Sequence, residues 1–121
     1  MRDVDGLARS LDRFVDRVPG VRSVLVVGGD ALLVASSAQL NRSDADTAAA
    51  ISTSLLALAT RAAHLLENGG TALTMIEMES GYVFLLNLTD GVLVGHSERP
   101  CDVGQVGYEL ALLGQLIDDR S

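Results

Sequence analysis

The run Ser43–Glu67, SDADTAAAISTSLLALATRAAHLLE, decides how this chain folds. Its apolar residues recur every three or four positions with no glycine or proline among them, which predicts one long helix. Two apolar seams run along it. Ile51, Leu55, Leu58, Ala62 and Leu65 form the first. Ala45, Ala49, Ser52, Leu56, Ala59, Ala63 and Leu66 form a second, displaced around the axis and built largely from small residues. A helix lying on one core shows one stripe. The small-residue seam therefore calls for another backbone close by, from a second copy or a partner, and is expected at a subunit interface.

The ends of this helix are marked. Ser43 is the expected N-cap, with Asp44 and Asp46 placed where negative charge suits the helix dipole. Asn68-Gly69-Gly70 tolerates the left-handed backbone that ends a helix. At 1.5 Å per residue the helix would be about 36 Å long, the breadth of a whole small domain.

Before it, a helix is predicted from about Asp3 to Arg17, with Val4, Leu7, Leu11, Phe14, Val15 and Val18 on one face and Pro19-Gly20 as its stop. Val21–Val27 reads as a strand. Gly28-Gly29-Asp30 is turn chemistry, and Ala31–Ser36 returns as the second arm of a hairpin. After the long helix come Ala72–Glu79, Tyr82–Leu88 and Val92–Ser97, joined by Ser80-Gly81 and Asp90-Gly91 turns that only antiparallel neighbours can share. Asp102 caps a last helix whose Val103, Val106, Leu110, Leu113 and Ile117 face one side.

VLVV, ALLVA and YVFLL are apolar at consecutive positions, so both sheet faces are covered. Leu73, Met75, Glu77 and Glu79 share one face of a half-polar strand, which marks it as a sheet edge. The expected fold is α+β: one α/β sandwich over residues 1–121, with its core from about 7 to 117. Its order is α-β-β-α-β-β-β-α, with a five-stranded, mainly antiparallel sheet and helices on both faces.

Composition excludes several functions. The chain has a net charge of −7, two Phe, two Tyr and no Trp. That balance repels phosphate backbones and anionic membranes and supplies few stacking platforms, so no nucleic-acid partner is expected. No window approaches 18 uninterrupted apolar residues, so no membrane insertion is expected. The N-terminus lacks the apolar run of a signal peptide. One cysteine, Cys101, cannot form an internal disulfide. A cytoplasmic home follows.

No catalytic constellation emerges. His64 and His96 have no Cys, Asp or Glu at ligand spacing, so neither is read as a metal ligand. Cys101 lies near a helix start but has no paired His, and reads as a small residue tucked into a junction. Gly28-Gly29 lacks the GK[ST] of a phosphate loop. Ser36-Ser37 lacks an elbow and a base. Glu77 and Glu79 could act as paired carboxylates but read better as charges that discourage edge-to-edge pairing. The expectation is no cofactor, no metal and no catalytic residue, which leaves surface shape as the carrier of function.

VPGVRSVLVVGGDALLVASS, SDADTAAAIS, IEMESGYVFLLNL and DVGQVGYELALL together resemble the Roadblock/LC7 domain, and more narrowly the bacterial conservon (CvnB) type, over about Leu7 to Leu116. The family usually has Asp-Gly in the first hairpin, whereas Ala31 follows Asp30 here; Gly28-Gly29 is expected to supply the positive-φ position instead. The resemblance implies a homodimer with a continuous sheet and paired long helices, and a non-catalytic partner of a Ras-like small GTPase. Conservon-type members are encoded beside such a GTPase and a sensor-kinase-like protein, which allows recruitment to a membrane-associated complex. The related MglB proteins act as GTPase-activating dimers without inserting an arginine of their own, and no arginine finger is assigned to Arg42, Arg61 or Arg99.

The expected dimer interface comprises Ala45, Ala49, Ser52, Leu56, Ala59, Ala63 and Leu66 with Met75 and Glu77 of the edge strand. Ala50, Thr53, Ala57, Thr60 and His64 form a low-profile outer face suited to a partner. The leading function is a dimeric adaptor that regulates a small GTPase. The alternatives are a structural scaffold for a sensor-kinase complex, and a PAS- or profilin-like small-ligand sensor using Asn87 and Thr74.

Overall fold

A computed structural model gives the structure of residues 3–120. Met1, Arg2 and Ser121, the ends of the expected domain, lie outside the described residues. The elements are α1 (Val4–Arg17), β1 (Val21–Gly28), β2 (Leu33–Ser36), α2 (Arg42–Leu65), β3 (Leu73–Met78), β4 (Gly81–Leu88), β5 (Gly91–Glu98) and α3 (Val103–Asp119). The five strands form one antiparallel sheet in the order β2-β1-β5-β4-β3, so β2 and β3 are its edges. The expected element order and sheet are those observed.

Strand alternation divides the core into two layers. Val24 and Val26 of β1, Tyr82 and Phe84 of β4 and Leu93 of β5 point to one face. There they pack with Leu11 and Phe14 of α1 and Val106, Leu110 and Leu113 of α3. Leu25, Val27, Leu85, Val92 and Val94 point to the other, where α2 supplies Ala49 with Leu55 and Leu56 beside it. Gly95 of β5 keeps α3 close, because a Cβ there would stand 2.9 Å from Cδ1 of Leu110.

Three local details depart from expectation. The N-cap of α2 is Asn41, whose side chain accepts from Asp44 N at 2.8 Å, while Ser43 sits exposed within the first turn. Asn and Ser cap equally well, so spacing to the first packed residue decides between them. The helix ends two residues early, at Leu65, with Glu67 at φ 57° and Asn68 N donating back to Ala63 O at 3.0 Å. In the first hairpin the positive φ belongs to Ala31, at 69°, and not to Gly28 or Gly29. The turn is held by Ala31 N donating to Gly28 O, Gly28 N to Leu32 O and Leu32 N to the Asp30 carboxylate. The Asp30 side chain thereby stabilises a turn in which Ala31 stands where glycine is usual.

Candidate protein-docking surface on the long helix

The two seams of α2 are buried unequally, and the small-residue seam is the one that meets the sheet. Ala45, Ala49 and Ser52 are buried against the chain's own sheet, Ala49 to 2% exposure. Leu56, Ala59 and Ala63 continue that face half-buried. Ala45, Ala49 and Ser52 are therefore closed by the chain's own sheet, contrary to their expected place at an interface, whereas Leu56, Ala59 and Ala63 keep part of their surface. Most of the larger seam is open: Ile51 is 55%, Leu58 61% and Leu65 81% exposed, and Ala62 is exposed with them, while Leu55 is half-buried against the core. The physical reason lies in the sheet. Leu25, Val27, Leu85, Val92 and Val94 already supply the apolar volume on this face. Small residues let the helix backbone settle onto them at interior packing density, whereas a leucine seam would overfill the layer. Leu66, also assigned to the interface, follows the helix and is exposed.

α2 lies chiefly over β1 and β2. On the same sheet face, Ile76 and Met78 of β3, Val83 of β4 and His96 of β5 are therefore left partly or wholly open. Met75 and Glu77 point to the opposite face with Leu73, and Leu73 and Met75 remain exposed there.

Glu77 does not stand as a lone charge on this edge. Arg99, from the end of β5, reaches across β4 to bond its carboxylate, donates to Met78 O and lies 5.3 Å above the Tyr82 ring. The Glu77 hydrogen bond chiefly raises the pKa of Arg99 above its ordinary value. With its charge paired internally, Glu77 guards the edge less than the sequence suggests.

The other flank of α2 forms one wall of a groove. Thr53, Leu56, Ala57, Thr60 and Arg61 face Gly28 and Gly29 at the end of β1 and Gly91 and Val92 at the start of β5, around about 480 Å³. Three of the five residues expected on a partner surface, Thr53, Ala57 and Thr60, are brought together here. Ala50 and His64 are exposed but do not line it. Sequence reasoning missed Arg61 and the glycine wall, because two hairpin turns distant in sequence supply the far side. Gly91, at φ +139°, is required there, since a Cβ would collide with Val27 O.

Other singled-out groups stay separate. Cys101 is half-buried at the β5–α3 junction, its Sγ 3.5 Å from Ser97 Oγ, and a Cβ on Gly20 would stand 2.7 Å from its own Cβ. Burial first, and the charge of Arg22 second, lower the His96 pKa below the ordinary 6.5. Asn87 is exposed and pairs with Thr71. Among the described residues no three His, Cys, Asp or Glu side chains gather as metal ligands.

By length and composition alone, α2 could cross a membrane, its 18-residue window reaching a mean hydropathy of 1.2. Here the helix is instead seated on the sheet through Ala45, Ala49 and Ser52.

The family's sequence profile, described as the Roadblock/LC7 domain, matches residues 7–95. The chain belongs to the Roadblock/LC7 family. Its fold agrees with a Roadblock/LC7 domain from Streptomyces avermitilis, with 25% identity, a TM-score of 0.85 and coverage of 96% of this chain and 95% of that one. It agrees also with MglB of Myxococcus xanthus, with 15% identity, a TM-score of 0.87 and coverage of 98% and 90%. A structure described as MglB with a tetrameric arrangement gives 13% identity, a TM-score of 0.83 and coverage of 98% and 90%. At these identities the two MglB likenesses establish the fold. No curated protein matches the chain. As a Roadblock/LC7 domain, the chain presents α2 with one face closed by its own sheet and two flanks available.

Proposed function

We propose that this Roadblock/LC7 protein is a non-catalytic, self-associating adaptor that docks a Ras-like small GTPase and shifts its nucleotide cycle. The observation that carries the reading is that α2 keeps two open flanks beside the face its own sheet closes. Ile51, Leu58 and Leu65 form an apolar line more than half exposed on a well-packed domain, and such surface marks a protein contact.

Self-association follows from complementarity on one side of the molecule. An open helix flank and an open sheet strip, Ile76, Met78 and Val83, lie on the same face. A two-fold axis lets each copy cover the other's strip with its flank, using the same residues twice. The unpaired edge of β3 can extend the sheet into the mate, and Met75 and Glu77 then lie at that seam. The tetrameric arrangement described for MglB supports assembly of this fold with itself.

The groove flank, Thr53, Ala57 and Thr60, is left for the GTPase. Thr53 and Thr60 lie on the opposite side of the helix from Ile51 and Leu58, so both contacts can be made together. Regulation is by differential affinity: a surface that fits one switch conformation better holds the GTPase in it. The test is isothermal titration of the GTPase into wild-type protein and the Thr60→Arg variant. Binding by wild type that the added bulk and charge abolish supports the reading. A wild-type protein that binds no Ras-like GTPase in either nucleotide state, or a variant that binds as well as wild type, overturns it.

A further inference from the structure

The groove beside α2 has one charged wall residue, and its chemistry points to a particular kind of contact. We infer that Arg61 anchors a single acidic side chain presented by the docked protein, an inference that rests on the docking reading above.

Four of the eight described arginines are ion-paired: Arg17 to Glu109, Arg22 to Glu98, Arg42 to Asp46 and Arg99 to Glu77. Arg61 has no hydrogen-bond or ion-pair partner among the described residues, although it stands in a protein with a net charge of −7. The hydroxyl protons of the groove's two threonines are already engaged. Thr53 Oγ1 donates to Ala49 O at 2.9 Å and Thr60 Oγ1 to Leu56 O at 2.8 Å. The remaining walls are Leu56, Ala57, Val92 and glycine backbone. What the groove lacks is therefore an anion with an apolar stem, and a Glu or Asp side chain has that form. A guanidinium and a carboxylate make the strongest such pairing, two parallel charge-assisted hydrogen bonds.

The neighbouring surface limits the occupant further. Across Gly28-Gly29 lies a second depression of about 500 Å³ that includes Asp30 and Asp90. An acidic run laid over both depressions would be repelled by the Asp30 carboxylate. A segment with one acid over Arg61 and neutral or basic residues beside it is accommodated. The two depressions thus set both the charge and the direction in which the segment lies.

The experiment measures affinity for the purified Ras-like GTPase, in whichever nucleotide state wild type binds more tightly, for wild type, Arg61→Gln and Arg61→Glu. Because Arg61 is exposed, circular dichroism and melting should show both variants folded. Arg61→Gln is expected to weaken binding about tenfold or more, the scale of a hydrogen bond to a charged group. Arg61→Glu should weaken it further. Changing the contacting acid of the GTPase to Arg should restore binding to Arg61→Glu but not to wild type. If wild type binds and both variants bind equally well, the anchor is wrong while the docking reading stands. If wild type does not bind, the docking reading fails and takes the anchor with it. Loss of self-association by Arg61→Gln, with GTPase affinity unchanged, would assign the groove to a second copy and also overturn the inference.

Discussion

Replacing Leu58 with arginine separates the two seams of α2. Leu58 is 61% exposed in the single chain, so more than half of its apolar surface is available to a mate. Burying a leucine fully is worth about 1.5–3 kcal/mol, which puts the available share at about 1–2 kcal/mol per copy. A two-fold interface contains the residue twice, so truncation alone should cost about 2–4 kcal/mol of association, and an unpaired guanidinium adds to it. At 1.4 kcal/mol per decade, the dimer constant should weaken at least about thirtyfold. Sedimentation equilibrium over a concentration series measures this directly. The melting temperature of the dilute monomer should stay close to wild type, because Leu58 belongs to neither buried core cluster. Ala49→Arg is the contrasting change: at a site 2% exposed, it should unfold the domain. A Leu58→Arg protein that dimerises with the wild-type constant would refute the assignment of the open seam.

Three further outcomes follow from local geometry. Ala31→Gly should stabilise the fold by up to about 1 kcal/mol, since alanine bears the left-handed backbone poorly, and urea denaturation would show the gain. Asn41→Ala should cost about 1 kcal/mol by the same assay, because Asp44 N loses its cap acceptor. His96 has a lowered pKa in the fold, so the unfolded chain binds its proton more readily. Its contribution is present above the ordinary value of 6.5 and is lost as pH falls through and below it. Melting curves from about pH 8 to about pH 5 should show a decline that His96→Gln reduces.

Most of the fold was legible because its boundaries carry local chemistry. Pro19-Gly20, Ser80-Gly81, Asp90-Gly91 and Asp102 each do locally what their residue types favour, and the α3 face Val106, Leu110 and Leu113 is the buried one. The apolar runs in β1 and β4 read correctly as a sheet covered on both sides. Which stripe of α2 packs on the sheet was not legible, because it depends on the sum of two surfaces. Helix periodicity shows where the stripes are, but the bulk of Leu25, Leu85 and Val94 decides which stripe fits beneath. The groove was hidden for a related reason. Its helix wall could be read from Thr53, Ala57 and Thr60, while its glycine wall exists only once β1 and β5 lie side by side. The pairing of Glu77 with Arg99 spans three strands and leaves no signature in spacing.

The central claim is that this surface distinguishes the states of a Ras-like GTPase. It is tested most directly by the dissociation constants of wild-type protein for that GTPase loaded with a GTP analogue and with GDP. The expected constants differ by about tenfold or more, equivalent to about 1.4 kcal/mol of preference for one switch conformation. Equal constants, or no binding in either state, would contradict it.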